Sequence, residues 1–426
     1  MNKNTIAAKR ILARVAQKPA MMCASLGALV GVANMPVDAH AEEAQADTIT
    51  GAIQNGSLIF SARPRYEHAE QDGVASADAF TMRTRLGWET AEWNGLTGLL
   101  EFEDVRQLGG NHYNDGVAPA EPYVSISDPE VTEINRAQLT WQIADGFSTT
   151  LGRQLITLDD QRFVGISNWR QDAKSSDAAR FDFSRGAFAA TYVYLDSYNR
   201  HLAETADWDS NSHLINASYA FSDAFKLVGF AYLLDFDGSA ASQSTDIYGV
   251  RVSGKADAGP LGLSYAAYYA TEEDAGDNPT SFELDYWSAW VAASHGPFWA
   301  RLSYDSFEGD GARGFITPIS ANHNTQGWSD VFNTKPTDGL EDFNVMGTYS
   351  PDFSLPFLSD IKFTARWHDF EAERTGADFG EEADFSVEGD ITEHLTALIK
   401  FADYQSGDAG SPLDTQRTWL QFEYKL

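Results

Sequence analysis

Residues 81–88 read TMRTRLGW, with Arg83 and Arg85 alternating with Met82, Thr84, Leu86 and Trp88. This spacing puts the arginines on one face of a β-strand and apolar groups on the other. Upstream, Leu58, Phe60, Ala62 and Tyr66 alternate with Ile59, Arg63, Arg65 and Glu67. Comparable alternation recurs at 96–106, 131–143, 147–156, 175–183, 187–196, 212–221, 225–234, 245–256, 261–270, 282–293, 298–306, 342–350, 360–370, 383–391, 395–404 and 416–426. These eighteen strands, sixteen if the least regular runs 175–183 and 245–256 are set aside, have the roughly ten-residue length that crosses a bilayer at a barrel's tilt.

The connections support the same reading. Short turns at 91–95, 144–146, 184–186, 222–224, 258–260, 295–297, 351–359 and 392–394 alternate with longer segments. An even-stranded antiparallel barrel with both ends inside requires this alternation of short periplasmic turns and long outer loops. The last ten residues, RTWLQFEYKL, place Thr418, Leu420, Phe422, Tyr424 and Leu426 on one face, as in a barrel's closing strand. The fold class expected is all-β, a transmembrane antiparallel β-barrel over residues 57–426.

Targeting agrees with that class. Lys3, Lys9, Arg10, Arg14 and Lys18 precede an uncharged run over 20–33 and the small-x-small site Ala39-His40-Ala41, so residues 1–41 read as a secretory signal peptide. The sole cysteine, Cys23, falls within it, leaving no thiol for a disulfide or thiolate metal site. Residues 42–56 are expected to form a flexible periplasmic segment, too short for the plug of a TonB-dependent receptor. The expected location is the bacterial outer membrane, with lipid and lipopolysaccharide as surroundings.

Charge narrows the function. Thirty Lys+Arg against 62 Asp+Glu give a net charge of −32, which excludes nucleic acid as a partner. The outer loops are mostly acidic and could take a divalent cation such as Ca²⁺ through oxygen ligands, but no spaced calcium-loop motif occurs and no cofactor is expected. The loop 157–174 (TLDDQRFVGISNWRQDAK) departs from this bias: Arg162, Arg170 and Lys174 balance its acids, and Phe163 and Trp169 suit it to fold inward over the pore.

Parity places the arginines. Facing lipid near the midplane, Arg63, Arg65, Arg83 and Arg85 would each cost roughly 2–4 kcal/mol, so they must face the lumen. The simplest registers, centred on Val74 and Trp93, give two rows, Arg65–Arg83–Glu103 and Arg63–Arg85–Glu101; a two-residue slip would change partners but keep all six groups inside. Two carboxylates cannot neutralise four guanidinium groups, and the surplus positive charge suggests attraction of anions. Arg136, Arg180, Arg301, Arg366 and Lys400 share the lumen parity, as do the acids Glu67, Asp305 and Glu423.

RPRYE (63–67), TMRTRLGWET (81–90), GLTGLLEFEDV (95–105), DPEVTEINRAQL (128–139), GRQLITLDDQRFVGISNWRQ (152–171) and SSDAAR (175–180) resemble the alginate-export family of proteobacterial outer-membrane porins. A looser likeness covers Thr317-Pro318, His323 and Gly327-Trp328-Ser329-Asp330. The resemblance implies a monomeric eighteen-stranded barrel whose arginine-bearing constriction passes an anionic polysaccharide in the family's namesake. By it Arg65, Arg83, Arg85, Arg136, Arg153 and Arg170 would line the path.

The function expected is a passive channel for anionic oligosaccharides, uronates or other small anions. The competing readings are a structural or adhesive barrel with a closed lumen, and a general diffusion porin. An enzyme is not expected: His68, His112, His201, His323 and His394 fall at strand ends, turns or loops, and no metal-spaced pair, P-loop or dinucleotide motif occurs.

Overall fold

A computed structural model describes residues 46–109, 112–117, 121–202, 204–408 and 410–426. The expected signal peptide, residues 1–41, lies outside the described residues. Strands β1 (Ser57–Gln71), β2 (Ala77–Glu89), β3 (Leu96–Gln107), β4 (Val131–Ala144), β5 (Phe147–Gln154), β6 (Ser175–Arg185), β7 (Phe188–Asn199), β8 (Trp208–Ser222) and β9 (Phe225–Leu234) make the first half. The second half holds β10 (Thr245–Ala258), β11 (Leu261–Asp274), β12 (Glu283–His295), β13 (Phe298–Phe307), β14 (Leu340–Tyr349), β15 (Ser359–Glu371), β16 (Asp378–Thr392), β17 (Leu395–Ser406) and β18 (Thr415–Lys425). Each strand pairs antiparallel with the next, and β1 pairs with β18, so one 18-stranded sheet closes on itself and no edge remains. The eighteen strands are those that the alternation predicts. No helix among the described residues is long and apolar enough to cross a membrane; the strands cross it.

Period two decides the faces. In β2, Phe80, Leu86 and Trp88 lie on the outer surface while Thr81, Arg83 and Arg85 are buried inside. In β18, Leu420 and Phe422 point outward and Arg417, Trp419, Gln421 and Glu423 inward. At one rim, six connections are two residues long, such as Asp145-Gly146 between β4 and β5. Gly146 has φ +70, and a Cβ there would sit 2.1 Å from the Ser184 carbonyl oxygen, so only glycine closes this turn. The opposite rim carries the longer segments 108–130, 155–174 and 308–339.

Residues 46–56, expected to be flexible, are held in place. Helix α1 (Ile49–Gln54) is capped by Thr48, whose Oγ1 accepts from Gly51 N at 3.0 Å. It lies along the 90–95 turn: Ala91 N donates to Ala52 O at 3.0 Å and Trp88 Nε1 to Ile53 O at 3.0 Å. These backbone partners order a segment whose small and polar composition gave no sign of it.

Two of the long loops enter the interior. Loop 155–174 drives Phe163 into an aromatic cluster with Phe230 (5.2 Å between ring centroids), Tyr286 (5.5 Å) and Phe315 of loop 308–339 (6.3 Å). The two loops also join each other directly, Gly165 N donating to Ile319 O at 2.8 Å. Burial of so much aromatic surface is what holds them inside the barrel.

Candidate functional site

The arginines of β1 and β2 meet inside the barrel in registers two residues away from the simplest ones. Arg63 lies opposite Arg83, Arg65 opposite Thr81 and Ser61 opposite Arg85. Arg85 pairs with Glu103, Arg83 with Val105 and Gly87 with Glu101. The predicted rows Arg65–Arg83–Glu103 and Arg63–Arg85–Glu101 are therefore replaced, and turn chemistry supplies the reason. Gly73, at φ +76, is the third residue of a tight turn in which Val74 N donates to Gln71 O, and the β1–β2 hairpin centres on residue 73 rather than 74. Asn94 and Gly95, both at positive φ, make a two-residue tip between Trp93 and Leu96, which moves the β2–β3 centre likewise.

Loop 155–174 crosses over this cluster and supplies its acceptors. Arg63 donates through Nη1 to Asn168 O at 3.0 Å, through Nη2 to Arg170 O, and through Nε to Gln171 Oε1 at 2.9 Å. Arg65 donates to Trp169 O at 2.5 Å and Gln421 Oε1 at 2.7 Å, and its guanidinium stacks 4.2 Å above the Trp169 ring. The Asn168 side-chain oxygen accepts from Arg83 at 3.2 Å and Arg85 at 3.3 Å. Carboxylates serve three of the four cations: Glu423 binds Arg83 at 2.6 Å, Glu103 binds Arg85, and Asp128 lies 3.7 Å from Arg65. Arg63 has no ion-pair partner among the described residues and rests on carbonyl and amide oxygens. All four arginines are almost wholly withdrawn from solvent, Arg65 and Arg83 at 1% exposure.

Loop residues tie this cluster to the wall. Arg170 joins Glu67 at 3.1 Å and Asp330 at 2.8 Å. Burial works against its charge, but the Glu67, Asp128 and Asp330 carboxylates outweigh burial and hold the guanidinium firmly protonated, its pKa raised. Burial, with a smaller contribution from Arg200, pushes the Lys174 ammonium down to about 7. The carboxyl of Asp172, fully buried, is raised by burial first and then by the charges of Glu133 and Glu103.

A second inward loop, 308–339, closes the other side. Glu382 of β16 accepts from Trp328 N at 2.5 Å, Ser329 N at 2.9 Å and the Ser329 hydroxyl. His323 stacks on Trp169 at 4.5 Å, and Lys400 Nζ lies 3.9 Å from the Trp169 ring and 3.8 Å from that of Trp328. Asp330 Oδ1 is 2.9 Å from His323 Nδ1 and Lys400 Nζ is 2.7 Å from Nε2, an arrangement that fits a neutral imidazole donating to the carboxylate and accepting from the ammonium. Gly327 has φ +81, and a Cβ there would fall 2.4 Å from Glu382 Oε2. Gly327→Ala should therefore cost the docked loop roughly 1–3 kcal/mol through backbone strain alone, with chymotrypsin cleavage beside Trp328 accelerating; an unchanged rate would refute the anchoring role of Glu382.

The other residues singled out in the sequence separate into three places. Glu101 is bound by Arg136 through both oxygens, at 3.1 and 2.7 Å, beside the cluster. Arg162 meets Asp305 at 3.0 Å, with Arg301 on the same strand as that aspartate, and Arg366 donates to Asn324 O at 3.1 Å and Thr325 O at 2.5 Å. Arg153 and Arg180 stand apart: Arg153 is clamped by Asp177 at 2.8 and 2.9 Å, and Arg180 by Asp182 at 2.6 Å. Asn168, Gln171, Asp128 and Gln421 carry no site signal of their own, because only the inward loop brings them to the arginines. Trp419, which shares the parity of Arg417 and Gln421, is buried inside against Trp169.

The alginate export family profile matches residues 56–296, more than half of the chain. The chain belongs to the alginate export family. Among solved structures, this alginate export barrel is similar to OccK9 (OpdG) of Pseudomonas aeruginosa, with 16% identity and a TM-score of 0.68 over 88% of this chain and 100% of that one. It is similar to OpdK of the same organism, solved with vanillate, at 13% identity and TM-score 0.68 over 88% and 100% of the two chains. Acinetobacter baumannii OccAB4 gives 13% identity and TM-score 0.66 over 87% and 98%. No curated protein matches the sequence. At these identities the likeness to the solved structures is one of fold. Family and fold together make the alginate export barrel an outer-membrane porin rather than an enzyme, with its outward apolar face in lipid.

Proposed function

We propose that this porin passes anionic solutes of the uronate or oligouronate class and acts as a monomer, with its inward loops holding it in a closed state. The observation that carries the reading is Arg63. Its guanidinium sits in a cluster of four arginines, lacks a carboxylate partner among the described residues, and is satisfied by loop oxygens at 168–171. A solute carboxylate offers the same acceptors with a full negative charge, and charge-assisted hydrogen bonds are roughly twice as strong as neutral ones. Such an anion can compete with the loop for the arginines. That OpdK, of the same fold, was solved with a carboxylic acid, vanillate, supports the carboxylate class. The acidic outer rim would bridge to lipopolysaccharide phosphates through divalent cations.

One observation favours a second reading, a structural barrel with a permanently closed lumen: the arginine cluster is buried to near completeness. Planar-bilayer recording separates the two. The channel reading expects single-channel steps with anion selectivity, turned toward cations by Arg63→Glu with Arg85→Glu. Absence of steps, or selectivity indifferent to this double change in a protein that still shows heat-modifiable mobility, would sink it.

A further inference from the structure

Beside the arginine cluster, three carboxylates converge: Glu103 of β3, Glu133 of β4 directly opposite it in the ladder, and Asp172 of loop 155–174. One oxygen of each lies within 4.8 Å of the others. Glu103 and Asp172 have no exposure to solvent. Neither Asp172 oxygen accepts a hydrogen bond from any donor among the described residues, although its neighbours donate elsewhere, Gln171 to Asp128 and Thr81 and Ala173 to Glu103. A buried carboxylate left without donors is costly, and proteins resolve that cost by protonating it, pairing the charge or placing it on a metal. Pairing is incomplete here: Arg85 binds Glu103 and Arg83 Nε lies 4.0 Å from it, but neither Glu133 nor Asp172 has an ion-pair partner among the described residues, and these two charges match a divalent cation. Asn135, two residues beyond Glu133, also has an Oδ1 with no donor.

We infer that Glu103, Glu133 and Asp172 form a Ca²⁺ site that latches the inner end of loop 155–174 to the barrel wall. An all-oxygen donor set is what a hard cation takes. Ligand oxygens on opposite sides of Ca²⁺ stand about 4.6–5.2 Å apart, given bonds of 2.3–2.6 Å. The three oxygens, all within 4.8 Å of one another, fit inside that span, and the flexible geometry of Ca²⁺ suits carboxylates from a wall and a loop better than the strict octahedron of Mg²⁺. Carboxylate flexibility and bidentate binding by Asp172 would complete the coordination. The loop then has two attachments of opposite polarity: oxygens at 168–171 capping arginines, and Asp172 bound through a cation to two glutamates.

The site is tested by calorimetric titration of the refolded, chelator-treated barrel with CaCl₂ and, separately, MgCl₂. The wild type should show one Ca²⁺ per chain bound more tightly than the diffuse rim acids bind it, and more tightly than Mg²⁺. Asp172→Asn and Glu133→Gln should each weaken that phase by more than the roughly 10–100-fold that loss of an outer-shell partner costs. Asp277→Asn, at an exposed outer-loop acid, should leave it intact. A tight phase equal in wild type and both ligand variants, or no tight phase in any of them, overturns the proposal. The heat-modifiable mobility of each variant reports folding, and because no solute passage is measured, the outcome stands apart from the channel reading.

Discussion

Replacing residues 167–171 with two glycines is expected to raise single-channel conductance several-fold while leaving the barrel folded. The ends of the excised tip already lie together, since Lys174 N donates to Ile166 O at 2.8 Å, so a short link can span them. The strand ladder does not depend on the tip: β1, β2, β3 and β18 hold one another through backbone pairing around the closed sheet. What the tip does supply is the set of oxygens facing Arg63, Arg65, Arg83 and Arg85, and the indole between His323 and Arg65. Without it, water takes over as acceptor and the cluster becomes a wetted positive patch. Rings of such charges set selectivity in a pore of given width, so the enlarged conductance should also be more anion-selective. Loop 308–339 keeps its anchor on Glu382, which limits the gain to the side that the excised tip covered. Conductance equal to wild type would show that the path, if one exists, does not run past the arginines.

The barrel was legible because its signal is periodic and repeated. Lipid outside and polar groups inside impose period two on every strand, and short turns alternating with long loops fix the sidedness. Register depends on single residues instead: Gly73 and the Asn94-Gly95 pair each shift a hairpin by two, moving Arg63 beside Arg83. The Asn-Gly signal was present in the sequence, and weighting it over the centre of the AEWNG segment would have recovered the β2–β3 pairing. The filling of the lumen was legible only in part. The unusual charge balance of 157–174 marked that loop, but nothing local marks loop 308–339, whose anchors Glu382 and Lys400 come from strands far along the chain. Arg153, which the resemblance places on the path, is paired with Asp177 on the neighbouring strand, a partner that no local pattern in the sequence indicates.

Acidification from pH 7 to pH 4 should release loop 308–339, and His323→Gln should largely abolish that response. His323 is buried between the Trp169 ring, the Asp330 carboxylate and the Lys400 ammonium, with Arg170 close by through Asp330. Burial dominates and pushes its pKa down to about 3 despite the attraction of Asp330, which is itself held well below the usual carboxylate range, burial being outweighed by His323 and Arg170. In the released loop an unperturbed histidine titrates near 6.5. Between these values the released state binds a proton that the docked state refuses, so docking weakens steadily as pH falls through that window and is unaffected by this group above it. A shift of that size corresponds to on the order of 5 kcal/mol in full, of which roughly 3 kcal/mol develops by pH 4. Lys335, pushed down to about 7 by burial, acts in the same direction in a higher window: its penalty is complete below pH 7 and fades as pH rises toward the ordinary lysine value. It therefore adds no pH dependence between pH 4 and 7, and Asp330, whose carboxyl is depressed, adds its own only below the ordinary carboxylate range, which leaves His323 as the source of the response. Glutamine can still donate to Asp330 and accept from Lys400 without titrating, so the variant separates protonation from packing. Hydrogen exchange of the 315–335 amides, corrected for intrinsic rates, should rise between pH 7 and 4 in the wild type and remain nearly flat in the variant; parallel rises in both would refute His323 as the pH-sensitive element.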